Sequence, residues 1–140
     1  MAEMSTPTAT TGCLILDTGG LFAWAFGNPT ARIVTLRAVQ RNISIMAPTI
    51  VLTQAIRGGR QDAALDRVLK RTWLIPVSEE IARYAGVLLG ATATTDAVDG
   101  IVAALALQHV PASILTSDPH DLRSLLQVDA DYPRVQIISV

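Results

Sequence analysis

Asp17, Asp96, Asp99 and Asp118 are the residues whose types and spacing could do chemistry. Asp17 ends the apolar run Cys13-Leu14-Ile15-Leu16, and Asp118 follows the run Ala112-Ser113-Ile114-Leu115-Thr116. Two parallel strands ending in this way deliver both carboxylates to one edge of a sheet, the edge where open α/β proteins bind ligands. Asp96 and Asp99, at i and i+3, share one face of a helix start. Clustered carboxylates repel one another and retain protons unless a cation neutralises them. Aspartates without His or Cys partners suit a hard cation, Mg2+ or Mn2+. Such a cation can activate water and stabilise charge on a phosphodiester. Taken singly, each acid has a plainer use. Asp17 can cap the helix after it, and Asp96 with Asp99 has a capping-box-like spacing. Asp118-Pro119-His120-Asp121 repeats that spacing, with proline at the first helical position. The conjunction of the acids is what favours a metal site.

The elements that must position these acids can be read from apolar periodicity and breakers. Residues 13–16, 44–47, 73–77, 112–116 and 135–140 read as strands, the third an edge strand because it carries Pro76. Between them lie helical stretches. The first, Leu21–Phe26, ends at Gly27-Asn28-Pro29. In the second, over 30–41, Ile33, Leu36 and Val39 recur at helical spacing, with Arg32, Arg37 and Arg41 outside. Thr49 is placed to cap a helix over Ile50–Arg57 that Gly58-Gly59 terminates. Further helices follow over 62–71, 79–90, 97–109 and 119–127, the one from Ala97 central. Alternating strands and helices predict an α/β fold, a three-layer α/β/α sandwich with a mainly parallel central sheet. Residues 1–11 read as a flexible tail and 12–140 as a single domain.

Bulk properties set limits on partners. The 140 residues carry a formal net charge of −1, so no global attraction to nucleic acid exists and an anionic partner needs local arginines or metal. Half the residues are apolar, only 16% are charged, and mean hydropathy is +0.39. That balance points to a partner surface. The one cysteine, Cys13, excludes an internal disulfide and suits a reducing cytoplasm. The start of the chain lacks the charge pattern of a signal peptide. Residues 100–117 are uncharged but broken by Gln108, His109 and Pro111, so no membrane span is expected.

Four stretches in order resemble the PIN domain, and more closely the VapC-type toxins of bacterial toxin–antitoxin pairs. They are Leu16-Asp17-Thr18, the segment Pro48-Thr49 to Gly58-Gly59 containing Gln54, Asp96-Ala97-Val98-Asp99 leading into Ala103-Ala104-Leu105-Ala106, and Leu115-Thr116-Ser117-Asp118. The resemblance implies a metal-dependent endoribonuclease using Mg2+ or Mn2+, a homodimer, an RNA substrate, and inhibition by a cognate VapB-like antitoxin. It aligns Asp17, Asp99 and Asp118 with metal-binding acids, Asp96 with an additional acid, and Gln54 with an expected glutamate. No Asp or Glu lies between Thr18 and Gln61, so that acid is absent rather than displaced. Glutamine keeps the shape and one neutral oxygen but loses the charge. The alternative is therefore a catalytically silent PIN-like module that binds antitoxin or RNA.

Several other side chains are candidates. Thr18, Thr116 and Ser117 adjoin the acids and can orient water or phosphate, or serve as caps. Arg57 and Arg60, followed by Arg67, Lys70 and Arg71, can meet phosphates or form a solvated face. His109 and His120 read as helix-end or surface residues, with His120 the better placed for substrate. Trp24 and Phe26 read as packing residues.

Overall fold

Strands buried on both faces need helices on both faces, and that requirement organises the chain. The structure, a computed structural model, describes residues 12–140; the tail expected at 1–11 lies outside the described residues. Five parallel strands, β1 (Cys13–Leu16), β2 (Ser44–Pro48), β3 (Trp73–Ile75), β4 (Ala112–Thr116) and β5 (Val135–Ser139), form one sheet in the order β3-β2-β1-β4-β5. All four residues of β1 and four of five in β2 and β4 are buried. The edge strands β3 and β5 are partly exposed. β3 is an edge, as its proline neighbour predicts.

Helices α1 (Thr18–Ala25), α2 (Pro29–Gln40), α3 (Leu52–Ala55) and α4 (Asp62–Leu69) gather around α1. Helices α5 (Glu79–Gly90), α6 (Ala97–Gln108) and α7 (Pro119–Leu126) pack as a second group, with α6 lying on β1, β2 and β4. The expected three-layer α/β/α architecture results. Every residue of α6 from Val98 to Leu107 is buried, as befits an Ala- and Leu-rich helix enclosed all round. Gly100 lets α6 approach α5, since a Cβ there would stand 2.8 Å from a Leu89 methyl carbon.

Two local expectations are corrected. Thr49 does not cap a helix: a 3-10 turn over Thr49–Val51 follows Pro48, which stands in the cap position without a side-chain bond, and α3 is only four residues long. In α2 the small residues Ala31, Thr35 and Ala38 face inward, while Ile33, Leu36 and Val39 are more than half exposed. Thr35 turns its hydroxyl onto the Ala31 carbonyl at 2.7 Å, so the buried face satisfies its one polar group internally.

Candidate metal centre

The strand order reverses direction between β1 and β4, because the chain leaves β1 toward β2 on one side and returns through β4 on the other. That switch point opens a crevice at the carboxyl ends of the strands. Asp17 follows β1 there, and Asp118 follows β4. The first turn of α6 supplies Asp96 and Asp99 to the same crevice, and the first turn of α7 supplies Asp121.

Gly19 and Gly20 draw the crevice together. A Cβ on Gly20 would lie 2.1 Å from the Leu115 carbonyl oxygen, and one on Gly19 would lie 1.9 Å from Ser117 Oγ. Only hydrogen at those positions lets the start of α1 lean on the end of β4. Asp17 is 4% exposed, and both of its oxygens are engaged. Oδ1 accepts from Gly20 N–H at 2.7 Å, capping α1, while Oδ2 accepts from the Thr116 hydroxyl. Thr116 Oγ1 in turn accepts from Asp118 N–H at 2.8 Å. The threonine thus ties the backbone that carries one acid to the side chain of another.

The acids divide by use. Asp96 is exposed and caps α6, accepting from Val98 N–H at 2.9 Å and Asp99 N–H at 3.1 Å. Asp118 occupies the cap position of α7 but makes no side-chain cap bond, which corrects the capping alternative and leaves its carboxylate available. Asp99, Asp118 and Asp121 can each offer one oxygen so that all three lie within 4.8 Å of one another. Asp121 was assignable from sequence only as a capping residue; its i, i+3 spacing from Asp118 is the signal for its role here.

Burial pushes the Asp99 carboxyl up to about 7, and the nearby charges of Asp96, Asp118, Asp17 and Asp121 add to the rise. Burial also raises Asp17, opposed by its bonds from Thr116 and Gly20 and reinforced by the Asp118 charge. A crevice of oxygen-only donors, in which Asp17 and Asp99 hold their protons above the usual carboxylate range, concentrates acids in want of a counter-ion. That chemistry fits a hard divalent cation and not a soft one.

Gln54, in α3, reaches the same edge. Its Oε1 accepts from Thr18 Oγ1 at 2.5 Å, and Thr18 is the chain neighbour of Asp17. Asp62 is committed elsewhere, closing the turn after α3 by accepting from Arg57 N–H at 3.1 Å and Gly58 N–H at 2.7 Å. The Arg57 guanidinium is folded onto the Thr53 and Ile56 carbonyls at 2.8 and 3.1 Å. Arg60 is exposed, and Ser117 is exposed beside Gly19.

No protein-family model and no curated protein matches the sequence. Solved structures do match. A chain of VapBC2 from Rickettsia felis, bound to a DNA fragment from its promoter, superposes with a TM-score of 0.67 at 18% identity, covering 91% of this chain and 98% of that one. A toxin–antitoxin complex from Klebsiella pneumoniae gives 0.64 at 19% identity, covering 91% and 99%. FitAcB from Neisseria gonorrhoeae gives 0.57 at 17% identity, covering 90% and 96%. The fold is that of a PIN domain.

In this PIN fold the two histidines separate. His109 ends α6 with Nδ1 2.9 Å from the Leu105 carbonyl oxygen, a helix-end role. His120 is exposed and borders a cavity of about 430 Å3 shared with Asp96, Asp121 and Ser124. Cys13 is buried at the opposite end of β1, and burial pushes its thiol up to about 11, which removes it as a nucleophile. Phe26 stacks on Phe22 with ring centroids 6.0 Å apart, and Trp24 is half-buried. No helix among the described residues is long and apolar enough to cross a membrane.

Proposed function

We propose that the chain is a metal-dependent endoribonuclease toxin of a toxin–antitoxin pair, working in the cytoplasm as a homodimer. The observation that carries this reading is the convergence of Asp99, Asp118 and Asp121 beside buried Asp17 at the switch point. Asp99, Asp118 and Asp121 would hold Mg2+ or Mn2+, with Asp17 and Asp96 completing the negative field. When bound, the cation would supply Lewis acidity toward a phosphodiester and lower the pKa of its bound water.

The chain's own residues prepare the site. Asp17 holds the α1 start against β4, and Thr116 fixes Asp17 relative to the Asp118 backbone. Buried Asp99 would present its carboxylate to the cation from the first turn of α6. Thr18, Ser117 and the outlying Arg60 are the proposed RNA contacts, the Arg57 guanidinium being held on the Thr53 and Ile56 carbonyls. Gln54 supplies a neutral oxygen where a carboxylate would add charge, so metal should bind more weakly than to an all-acid site. That substitution also supports the second reading, a silent PIN-like module that binds antitoxin or RNA.

The partner reading rests on α2. Trp24, Ile33, Leu36 and Val39 border a cavity of about 560 Å3 flanked by Arg32 and Arg71. This surface suits an antitoxin segment with apolar anchors and acidic flanks. The fold's neighbours are themselves toxin–antitoxin assemblies. The deciding experiment is RNA cleavage with Mg2+ or Mn2+ by this chain, its Asp99→Asn variant and its Gln54→Glu variant. Cleavage by the native chain that is lost in Asp99→Asn supports the nuclease. Absence of cleavage by the native chain leaves the binding module, and cleavage that persists without metal overturns the metal site.

A further inference from the structure

The sheet has a second edge. At the amino ends of β1, β4 and β5, on the far side from the acids, lies a cavity of about 730 Å3. Arg37 and Arg41, on the last turn of α2 and its cap, reach it from one wall, and Arg134, from the turn before β5, reaches it from another. No carboxylate side chain lines it. Among the described residues the one ion pair is Arg83–Glu79, so none of these three arginines has an acidic partner there. The negative end of the α2 dipole accounts for Arg37 and Arg41 by themselves. It does not account for Arg134, which comes from a different element and meets them across the cavity.

The remaining lining defines the ligand. Ser113 and Gln136 add neutral hydrogen-bonding groups, and Val34 and Ile43 add apolar wall, but no aromatic ring is present on which a base could stack. Guanidinium groups with neutral donors match phosphate oxygens. A surface without stacking rings grips backbone rather than base, and so reads no sequence. The through-sheet distance from Cys13 to Asp17 is about 13 Å at the rise of a parallel strand, and a path around the surface is longer. A ligand held at both edges must be a chain of several nucleotides.

We propose that this amino-edge cleft is a second contact for single-stranded RNA, holding backbone phosphates of a long substrate whose reacting bond lies at the acidic edge; the substrate assignment rests on the nuclease reading above. The test is binding of fluorescent oligouridine, a twenty-mer and a trimer, measured by anisotropy in EDTA so that no cleavage is involved. The native chain binds the twenty-mer more tightly than the trimer. Arg37→Glu/Arg134→Glu lowers twenty-mer affinity about tenfold at low salt and flattens the log affinity against log salt slope by about 1.4, for two phosphates lost. Arg37→Lys/Arg134→Lys, which keeps the charge, retains most of that slope.

Unchanged twenty-mer affinity and slope in the Glu pair would overturn the cleft. So would an oligoglutamate peptide binding the native chain more tightly than RNA and losing that affinity in the Glu pair, which would make the ligand an acidic peptide. All three arginines are exposed, so their replacement removes nothing from the core, and a thermal melt checks each variant. The two readings fail separately. Absent cleavage with an intact salt-slope effect removes the nuclease and keeps the RNA cleft, whereas metal-dependent cleavage with no slope effect removes the cleft alone.

Discussion

The acidic crevice and the outer face of α2 are opposites that cost the isolated chain in the same way. In the crevice, charged groups sit where water is scarce: Asp17 is 4% and Asp99 8% exposed. On α2, apolar groups sit where water is abundant: Leu36 is 57% exposed, with Ile33 and Val39 close behind. A chain optimised only for stability would exchange these arrangements, since buried carboxylates are penalised and exposed methyl groups gain nothing. Perturbed acids and contiguous apolar surface are each marks of a missing complement. On the function proposed above, the complement of the crevice is a cation and that of α2 is another protein. The comparison teaches that the two should respond to different additions and should be separable by mutation.

The largest expected effect is at Asp99. Asp99→Asn should lower Mg2+-dependent cleavage by at least about a hundredfold, as removal of a group central to the reaction does. The same change should raise the metal-free melting temperature, because it deletes a penalised charge. A variant that is both inactive and less stable would break the view that the crevice stores electrostatic cost.

Next in size is Leu36→Glu. It should weaken binding of the cognate antitoxin, measured calorimetrically, by tenfold or more, since apolar anchors dominate such interfaces. It should leave the melting temperature within a degree or two, because Leu36 is already in water. A large loss of stability would mean that α2 belongs to the core after all.

The pH dependence sharpens the crevice side. Asp99 has a folded-state pKa raised to about 7 from 3.8, so the folded protein holds the proton more tightly than the unfolded chain does. The associated stability is fully present below about pH 4 and is lost as pH rises toward and through 7. Melts without metal should therefore decline across that window, and saturating Mg2+ should remove much of the decline. Mg2+ affinity itself should rise about tenfold between pH 6 and 8 as the competing proton leaves.

Smaller effects belong to residues at the margin. Gln54→Glu should tighten Mg2+ binding and increase cleavage by several-fold, read from titration and initial rates. No change in either would mean that position is not a ligand. Arg57→Ala should alter RNA binding by no more than about twofold, because the guanidinium is already occupied by the Thr53 and Ile56 carbonyls.

Taken by itself, the sequence determined the strand and helix order, the edge position of β3, the cap at Asp96 and the delivery of Asp17 and Asp118 to one edge. These follow from local signals: apolar runs of strand length, breakers, and the rule that parallel strands end together. The absence of an acid between Thr18 and Gln61 is likewise a property of the sequence alone. Three-dimensional packing decided the rest. Periodicity marks an apolar stripe on α2 but cannot say whether it meets a sheet or water, and here the closer fit of Ala31, Thr35 and Ala38 turned that stripe outward. Capping statistics treat Asp118 and Asp121 as equivalent to Asp96, yet only Asp96 is used up as a cap. The bond from Thr116 to Asp17 spans 99 residues, and Gln54 meets Thr18 across 36. Contacts of that range depend on how strands and helices pack, for which one chain's local pattern holds no signal.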